Sequence, residues 1–150
     1  MGHEAAAAAK AIKANLAADA TLIAQVAATK HFAESAPQDA TVPFIVFRMR
    51  SPGQDANPLH AKRSMTSPLI DVGVWVESDP YSTTAQTVAD RIDAVLSVLA
   101  SYSVSTVNHT YEVSAIREGG AWVREEIDLK AGGKKFYWVG GSYRFSISQA

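Results

Sequence analysis

Residues 69–77, LIDVGVWVE, and the segment after them decide the fold. Two sets of side chains alternate along this stretch: Ile70, Val72, Val74 and Val76, and between them Asp71, Gly73, Trp75 and Glu77. A period of two predicts a strand with one apolar face. Residues 81–99, YSTTAQTVADRIDAVLSVL, instead repeat their apolar residues at i, i+3, i+4 and i+7. That spacing predicts an amphipathic crossover helix, and Thr83 and Gln86 are spaced as a capping box at its start.

The first 27 residues are predicted to form a helical segment. Residues 4–17 are rich in Ala, Lys and Glu, which favour helix. Asp19 or Thr21 can cap a second short helix, so we expect a break near residues 18–20. The apolar stripe of the first helix consists of Ala5, Ala8, Ala9, Ile12 and Leu16. Because this stripe is narrow, we expect the helix to pack on another part of the protein rather than to form a core itself.

The rest of the chain is predicted to be rich in strands. Residues 44–50, FIVFRMR, alternate between an apolar and a partly basic face. Residues 111–118 and 121–127 flank a glycine pair, which is typical of a hairpin, and a short helix is the alternative for residues 122–130. Residues 136–148 form a long last strand, in which Gly140–Gly141 predicts a bulge or a sharp twist.

These segments predict one α+β domain over residues 1–150. We expect a mixed, mainly antiparallel sheet of about five strands, with the N-terminal helix and the crossover helix packed on it. Residues 51–66 contain two Pro, one Gly and no hydrophobic period, so they are predicted to be a long mobile loop. Two interpretations of that loop stay open, a hairpin tip with no role and an arm that becomes ordered against a partner.

Composition limits the possible functions. The chain has 150 residues, 47% of them hydrophobic, and 14 basic against 15 acidic residues give a net charge of −1. This is typical of a globular protein and lacks the basic excess usual for duplex-DNA binders. The absence of Cys excludes disulfides and thiolate chemistry. The sequence has neither a signal-peptide pattern nor an apolar stretch of membrane-spanning length, so we expect synthesis in the cytoplasm and no membrane partner.

No motif for catalysis is apparent. The four His residues lack the spacing of metal ligands, and Gly132–Lys135 does not match a phosphate-binding loop. Asp90 and Asp93 are expected on the solvated outer face of the crossover helix, where a carboxylate is not tuned for acid–base work. We therefore expect no enzymatic activity, no metal and no cofactor.

Charged and aromatic residues on the polar strand faces suggest an interaction surface. Arg48 and Arg50, with Lys62 and Arg63, could form a basic strip. It could be a solvated edge, a pairing surface for an acidic neighbour, or a passage along which phosphate slides without sequence readout. Trp75 lies on the polar face of its strand and is favoured as a subunit contact, whereas Trp122 and Trp138 are favoured as sheet packing. The candidate interface residues are Arg48, Arg50, Lys62, Arg63, Asp71, Trp75 and Glu77.

The order of these segments resembles a known family. The segments are LAADATLIAQV, then APQDATVPFIVFRMRS, SPLIDVGVWVES, YSTTAQTVADRIDAVLSVL and finally GGSYRFSIS. Together they resemble the tail-terminator, or tail-completion, proteins of long-tailed bacteriophages and gene-transfer particles. The resemblance covers roughly residues 8–148, with the Ala-rich start and the Gly-rich stretch 132–141 departing from it.

The resemblance implies a structural virion protein in the tail or neck. Such proteins form a ring of six copies at the head-proximal end of the tail tube. The implied partners are other copies of the chain, the tail-tube protein and the head–tail connector or stopper. Genomic DNA would pass through the lumen without sequence-specific binding. A second patch for the ring contact is expected among the acidic outer parts of residues 112–128.

Two other functions stay open. Another neck or head-completion connector protein would have a similar small α+β fold. A small cytoplasmic enzyme or ligand-binding module is the alternative of a different class, and a deep pocket lined by His31 or His109 would favour it.

Overall fold

A computed structural model describes residues 3–53, 55–56, 65–106, 109–128 and 132–149. These residues form three α-helices and nine strands. The helices are α1 (His3–Ala17), α2 (Ala20–Gln25) and α3 (Thr83–Leu96). The strands are β1 (His31–Ala33), β2 (Phe44–Ser51), β3 (Asp55–Ala56), β4 (Met65–Thr66), β5 (Leu69–Glu77), β6 (Tyr102–Ser105), β7 (Thr110–Arg117), β8 (Trp122–Asp128) and β9 (Lys134–Gln149).

The long strand β9 organises the sheet. Along one edge it pairs with β5 and, further on, with β4; along the other it pairs first with β8 and then with β7. Further strands extend the sheet outward, β2 on β5, β1 on β2, β6 on β7 and β3 on β4. All pairs are antiparallel except β1 with β2, so the sheet is mixed.

The α+β class with a mixed sheet is confirmed, but the sheet is larger than the predicted five strands. The extra strands β1, β3, β4 and β6 have two to four residues each, too short for an alternating pattern to be recognised. Two of them, β3 and β4, lie inside the segment predicted as a loop, residues 51–66. Residues 54 and 57–64 of that segment lie outside the described residues.

Of the two alternatives predicted for Gly140–Gly141, the bulge is wrong and the sharp twist stays a prediction. The register between β5 and β9 continues unbroken through this pair, with Val72 opposite Gly141 and Gly73 opposite Gly140. The neighbour on the other edge changes here instead, because β8 pairing ends at Gly140 and β7 pairing begins at Tyr143. The strand 122–128 is formed, and the helix alternative for it is wrong.

Helices cover one face of the sheet. The predicted break falls between α1 and α2, where the Asp19 carboxylate accepts the Leu22 amide at 2.9 Å and caps α2. The same carboxylate binds the Arg91 guanidinium of α3, and this contact holds the pKa of Asp19 below its ordinary value. Asp19 therefore joins two helices that are far apart in sequence.

The start of α3 lies one residue earlier than the predicted capping box. Ser82 is the N-cap, and its hydroxyl accepts the Ala85 amide at 3.2 Å. Asp93 is not simply solvated as predicted, since it accepts a hydrogen bond from Tyr143 at 3.1 Å and pairs with Arg117 at 3.3 Å. Burial and the Asp93 charge raise the pKa of Tyr143 far above its ordinary value.

The core lies between the helices and the sheet. The apolar residues of β5 face the helices as predicted, and those of α3 meet them. The buried residues of α1 are Ala7, Ala8, Ala11, Ile12 and Leu16, whereas Ala5 and Ala9 are only half-buried. The stripe of α1 is therefore rotated slightly from the predicted one and belongs to the core itself. No helix of the described chain is long and apolar enough to cross a membrane.

Candidate interaction surface

The sheet has a second face, opposite the helices, which we call the open face. The strand register places on it the residues that alternate with the core, among them Arg48, Asp71, Trp75, Trp122, Arg124, Trp138 and Ser142. The helices α1 to α3 pack on the other side, against the apolar residues of β5 and β9. The open face is therefore the side of the sheet that the helices leave uncovered, and the candidate interaction surface lies on it.

Three tryptophans and two arginines form one cluster on the open face. The rings of Trp75 and Trp138 are stacked, with centroids 5.9 Å apart and planes 4° apart. Trp122 packs on Trp138 at 4.6 Å between centroids. The guanidinium carbons of Arg124 and Arg48 lie 5.1 and 5.6 Å from the Trp138 ring, and that of Arg124 lies 4.2 Å from the Trp122 ring. These are cation–π distances. We call these five residues the arginine–tryptophan cluster.

Two glycines allow close approaches at the tryptophan cluster, Gly73 to the indole rings and Gly140 to the backbone of β5. A Cβ built on Gly73 would lie 2.8 Å from Trp138 Nε1 and 3.0 Å from Trp122 Cη2. A Cβ built on Gly140 would lie 2.0 Å from the Val72 carbonyl oxygen. Because Gly73 has no side chain, the Trp122 and Trp138 rings can pack over it, and Trp138 is only 3% exposed.

A buried carboxylate supports the cluster from below. Asp71 is 4% exposed and accepts a 2.6 Å hydrogen bond from the Ser142 hydroxyl, which itself accepts Trp122 Nε1 at 3.0 Å. Arg50 Nε donates to Asp71 at 3.1 Å, and Arg124 Nη1 lies 3.1 Å from the same oxygen. The two guanidiniums satisfy the carboxylate and lock one edge of the cluster in place.

The open face carries a net positive charge around Asp71. Arg48, Arg50 and Arg124 contribute three charges, and Asp71 neutralises one of them. The side chains of Arg50 and Arg124 are 46% and 41% exposed, so their charges reach solvent while their stems pack on the sheet. A positively charged surface with aromatic side chains between the arginines results.

A groove of about 750 Å³ adjoins the cluster. Its floor includes Phe44, Trp75 and Phe136, and the loop of residues 35–42 forms its wall. Glu77 and Glu126 lie at its acidic end, where Lys134 Nζ approaches Glu77 at 3.5 Å. The open face is thus basic at the Asp71 end and acidic at the Glu77 end.

The other half of the open face is lined by serines. Ser114 lies opposite Ser146, and Ser148 lies opposite Glu112, which in turn faces Ser103. The Glu112 carboxylate accepts hydrogen bonds from the hydroxyls of Ser101 and Ser103, and these bonds lower its pKa. This half offers hydroxyl groups and one carboxylate, in contrast to the arginine–tryptophan cluster.

The structure brings most of the predicted interface residues onto one face. Arg48, Arg50, Asp71, Trp75 and Glu77 all lie there, although Asp71 is buried under the arginines rather than exposed. Lys62 and Arg63 lie outside the described residues.

Sequence reasoning missed four members of this site: Trp122, Arg124, Trp138 and Ser142. Their alternation along β8 and β9 was the available signal, but it does not reveal which strands pair or in which register. Trp138 is buried sheet packing as predicted, yet it packs on the open face and not in the core under the helices.

A buried histidine lies away from the open face. His31, 5% exposed, places Nε2 3.1 Å from the Val26 carbonyl oxygen beside a groove of about 640 Å³ that Lys10, Lys13 and Phe32 help to line. Burial lowers the pKa of His31. Within the described part of the chain, no three His, Asp or Glu side chains converge as a metal site.

The sequence matches no known protein-family model and no curated protein.

Proposed function

We propose that this chain is a structural virion protein of a long-tailed bacteriophage or gene-transfer particle. In this role it forms a ring at the head-proximal end of the tail tube, ends tube polymerisation and provides the joint to the head connector. The proposal rests on the segment order that resembles tail terminators and on the arginine–tryptophan cluster, the single structural observation that carries it.

The cluster has the composition of a subunit interface. Trp and Arg are the residues most enriched where binding energy concentrates. Here both types lie side by side on a sheet face that the chain's own helices leave uncovered. Asp71 holds Arg124 and the neighbouring Arg50 in one arrangement before binding, which reduces the entropy lost on association.

A ring requires two different patches on each copy. In a cyclic oligomer, one surface of a subunit contacts another surface of its neighbour. The open face supplies the first patch. The overall charge of −1 suits a lumen through which DNA must slide, because strong phosphate pairing would retain it.

The axial partners in this proposal are the tail-tube protein on one side and the connector or stopper protein on the other. We assign the contact with the tube to residues 51–66, including Lys62 and Arg63. Deleting residues 54–62 should leave the fold intact, as measured by circular dichroism, and abolish joining to tail tubes. If the deletion unfolds the chain, this assignment is wrong.

The decisive experiment removes the protein from assembling particles. Overlong tails in negative-stain images would support the terminator role, whereas tail-less heads would indicate another neck or head-completion role. In parallel, mass photometry of the purified chain with and without tail-tube protein should detect a ring. A chain that remains a monomer in both samples would contradict the proposal.

One observation favours a function of a different class. The grooves beside Trp75 and beside His31 are large enough for a small ligand, which suits a ligand-binding module. A monomer in solution, together with saturable binding of a metabolite to a groove, would support that alternative over the ring.

A further inference from the structure

The helix side of the same sheet carries an acidic patch. Glu125 lies opposite Tyr137 on the side of the sheet that faces the helices. Asp79 lies beside Tyr81 on the loop before α3, where its Oδ1 accepts the Tyr81 amide at 2.8 Å. Burial raises the pKa of Tyr137, and the Glu125 carboxylate adds to the shift. Asp90 lines a cleft of about 340 Å³ that Tyr81 and Val123 also border. We call Asp79, Tyr81, Asp90, Val123 and Glu125 the acidic patch.

The acidic patch combines charge with exposed apolar surface. Tyr81 is 72% exposed and Val123 is 41% exposed. Asp90 is exposed and makes no ion pair with any residue that the structure describes, whereas the nearby Asp93 is paired with Arg117. The patch therefore presents carboxylates and an aromatic ring to solvent.

The acidic patch and the arginine–tryptophan cluster complement each other. Asp79, Asp90 and Glu125 contribute three negative charges, and Lys135, on the same side of the sheet beside Tyr137, reduces the sum to two. On the open face, Arg48, Arg50 and Arg124 exceed Asp71 by two positive charges. Opposite potentials on two apolar–aromatic surfaces favour specific association and disfavour like-charged pairing.

Within one chain the charged groups of these two surfaces lie on opposite sides of the sheet, although Trp122 also borders the cleft that Asp90 lines. Alternate residues of β8 point to opposite sides of the sheet, so Arg124 belongs to the open face while Val123 and Glu125 belong to the helix side. A twofold contact that joins the basic ends of two open faces would place arginines against arginines and leave the acidic patch unpaired. A head-to-tail contact, between the open face of one copy and the helix side of the next, pairs the basic end of the open face with the acidic patch.

We propose that the arginine–tryptophan cluster of one copy binds the acidic patch of the adjacent copy. The inference deepens the proposed ring function and rests on it. It identifies the partner of the open face as a second copy of this chain and Asp79, Asp90 and Glu125 as its acidic contact. A head-to-tail contact of this kind builds a ring when the rotation between neighbouring copies closes.

Charge reversal tests the contact. Arg48→Glu and Asp90→Lys each place like charges at every interface, and each should raise the dissociation constant for self-association at least about tenfold. Lys13→Glu, an exposed reversal on α1 outside both surfaces, is the control and should leave association unchanged. Circular dichroism and thermal unfolding of all three variants check the fold, and mass photometry measures the oligomer.

Mixing the two variants gives the sharpest result. In a mixture of Arg48→Glu and Asp90→Lys chains, the introduced glutamate of one variant can meet the introduced lysine of the other at one interface. At the next interface, the native Arg48 and Asp90 can meet. Equimolar mixing should therefore restore oligomers that neither variant forms alone. No rescue, or reversals that leave association unchanged, would overturn the inference while the ring itself stands. A wild-type chain that never associates, with or without tail-tube protein, would overturn both.

Discussion

Trp75 of β5 and Trp138 of β9 are directly opposite each other, and their rings are nearly parallel, with centroids 5.9 Å apart. Cross-strand aromatic pairs of this kind stabilise a sheet. Here the pair lies on the face away from the helices, where Arg48 and Arg124 complete it. The contact therefore does two things: it fixes the register of two central strands, and it builds the surface proposed to bind a neighbouring copy.

Replacing Gly140 should destabilise the protein strongly. The Cβ of Gly140→Ala would overlap the backbone of Val72 and Gly73, which cannot move without breaking the β5–β9 pairing. We expect the free energy of unfolding to fall by at least about 2 kcal/mol in a urea titration. Gly120→Ala is the matched control, because a Cβ there meets no atom within 4 Å, and it should change stability by less than about 0.5 kcal/mol. Equal stability of the two variants would contradict the tight approach of β5 and β9.

Removing the Asp71 carboxylate should loosen the arginine–tryptophan cluster. In Asp71→Ala, Arg50, Arg124 and Ser142 lose their shared acceptor. The guanidiniums can be hydrated because they are half-exposed, so we expect a loss of about 1–3 kcal/mol in the free energy of unfolding. The intrinsic tryptophan emission should change as well, since Trp122 donates to Ser142. Glu126→Ala removes an exposed carboxylate from the same face and should change neither the free energy of unfolding nor the tryptophan emission. An unchanged emission spectrum for Asp71→Ala would contradict the hydrogen-bond network.

His31 should make stability fall in mild acid. Burial lowers its pKa below the ordinary 6.5, so the unfolded chain binds a proton more readily than the folded chain. Its contribution to stability is therefore complete above pH 6.5 and is lost as the pH falls from there towards the lowered pKa. Urea unfolding at about pH 7.5 and about pH 5.5, on either side of the ordinary imidazole range, measures this loss. A His31→Leu variant should lose less stability between the two pH values than the wild type, and an identical loss would exclude His31 as its source.

Asp19→Ala should weaken the junction of α2 with α3. The substitution removes the cap on Leu22 and the partner of Arg91. The cap alone predicts a loss of about 1 kcal/mol in the free energy of unfolding. Because the pKa of Asp19 is lowered in the fold, the wild type should lose this contribution as the pH falls below 3.8, and the variant should not. Asp39→Ala, an exposed loop carboxylate, is the control for removing one charge.

Local patterns in the sequence determined the main elements. The period of two in residues 69–77 and the helical period after residue 81 depend only on which side chains must avoid water, so strand β5 and helix α3 follow from them. The break before Asp19 follows in the same way from its capping oxygen. The face of Arg48, Asp71 and Trp75 could also be read from alternation alone.

Only the tertiary structure decided which residues of different strands meet on the open face. Alternation assigns a side chain to one side of its strand, but it gives neither the neighbouring strand nor the register, which depend on packing across the whole sheet. For this reason alternation does not predict that Trp122, Arg124 and Trp138 form one cluster. Nor does it predict that Asp71 is a buried carboxylate paired with two arginines. The conformational freedom of glycine likewise suggested a bulge at Gly140. The structure shows a steric role instead, because the backbone of β5 lies where a side chain of residue 140 would be.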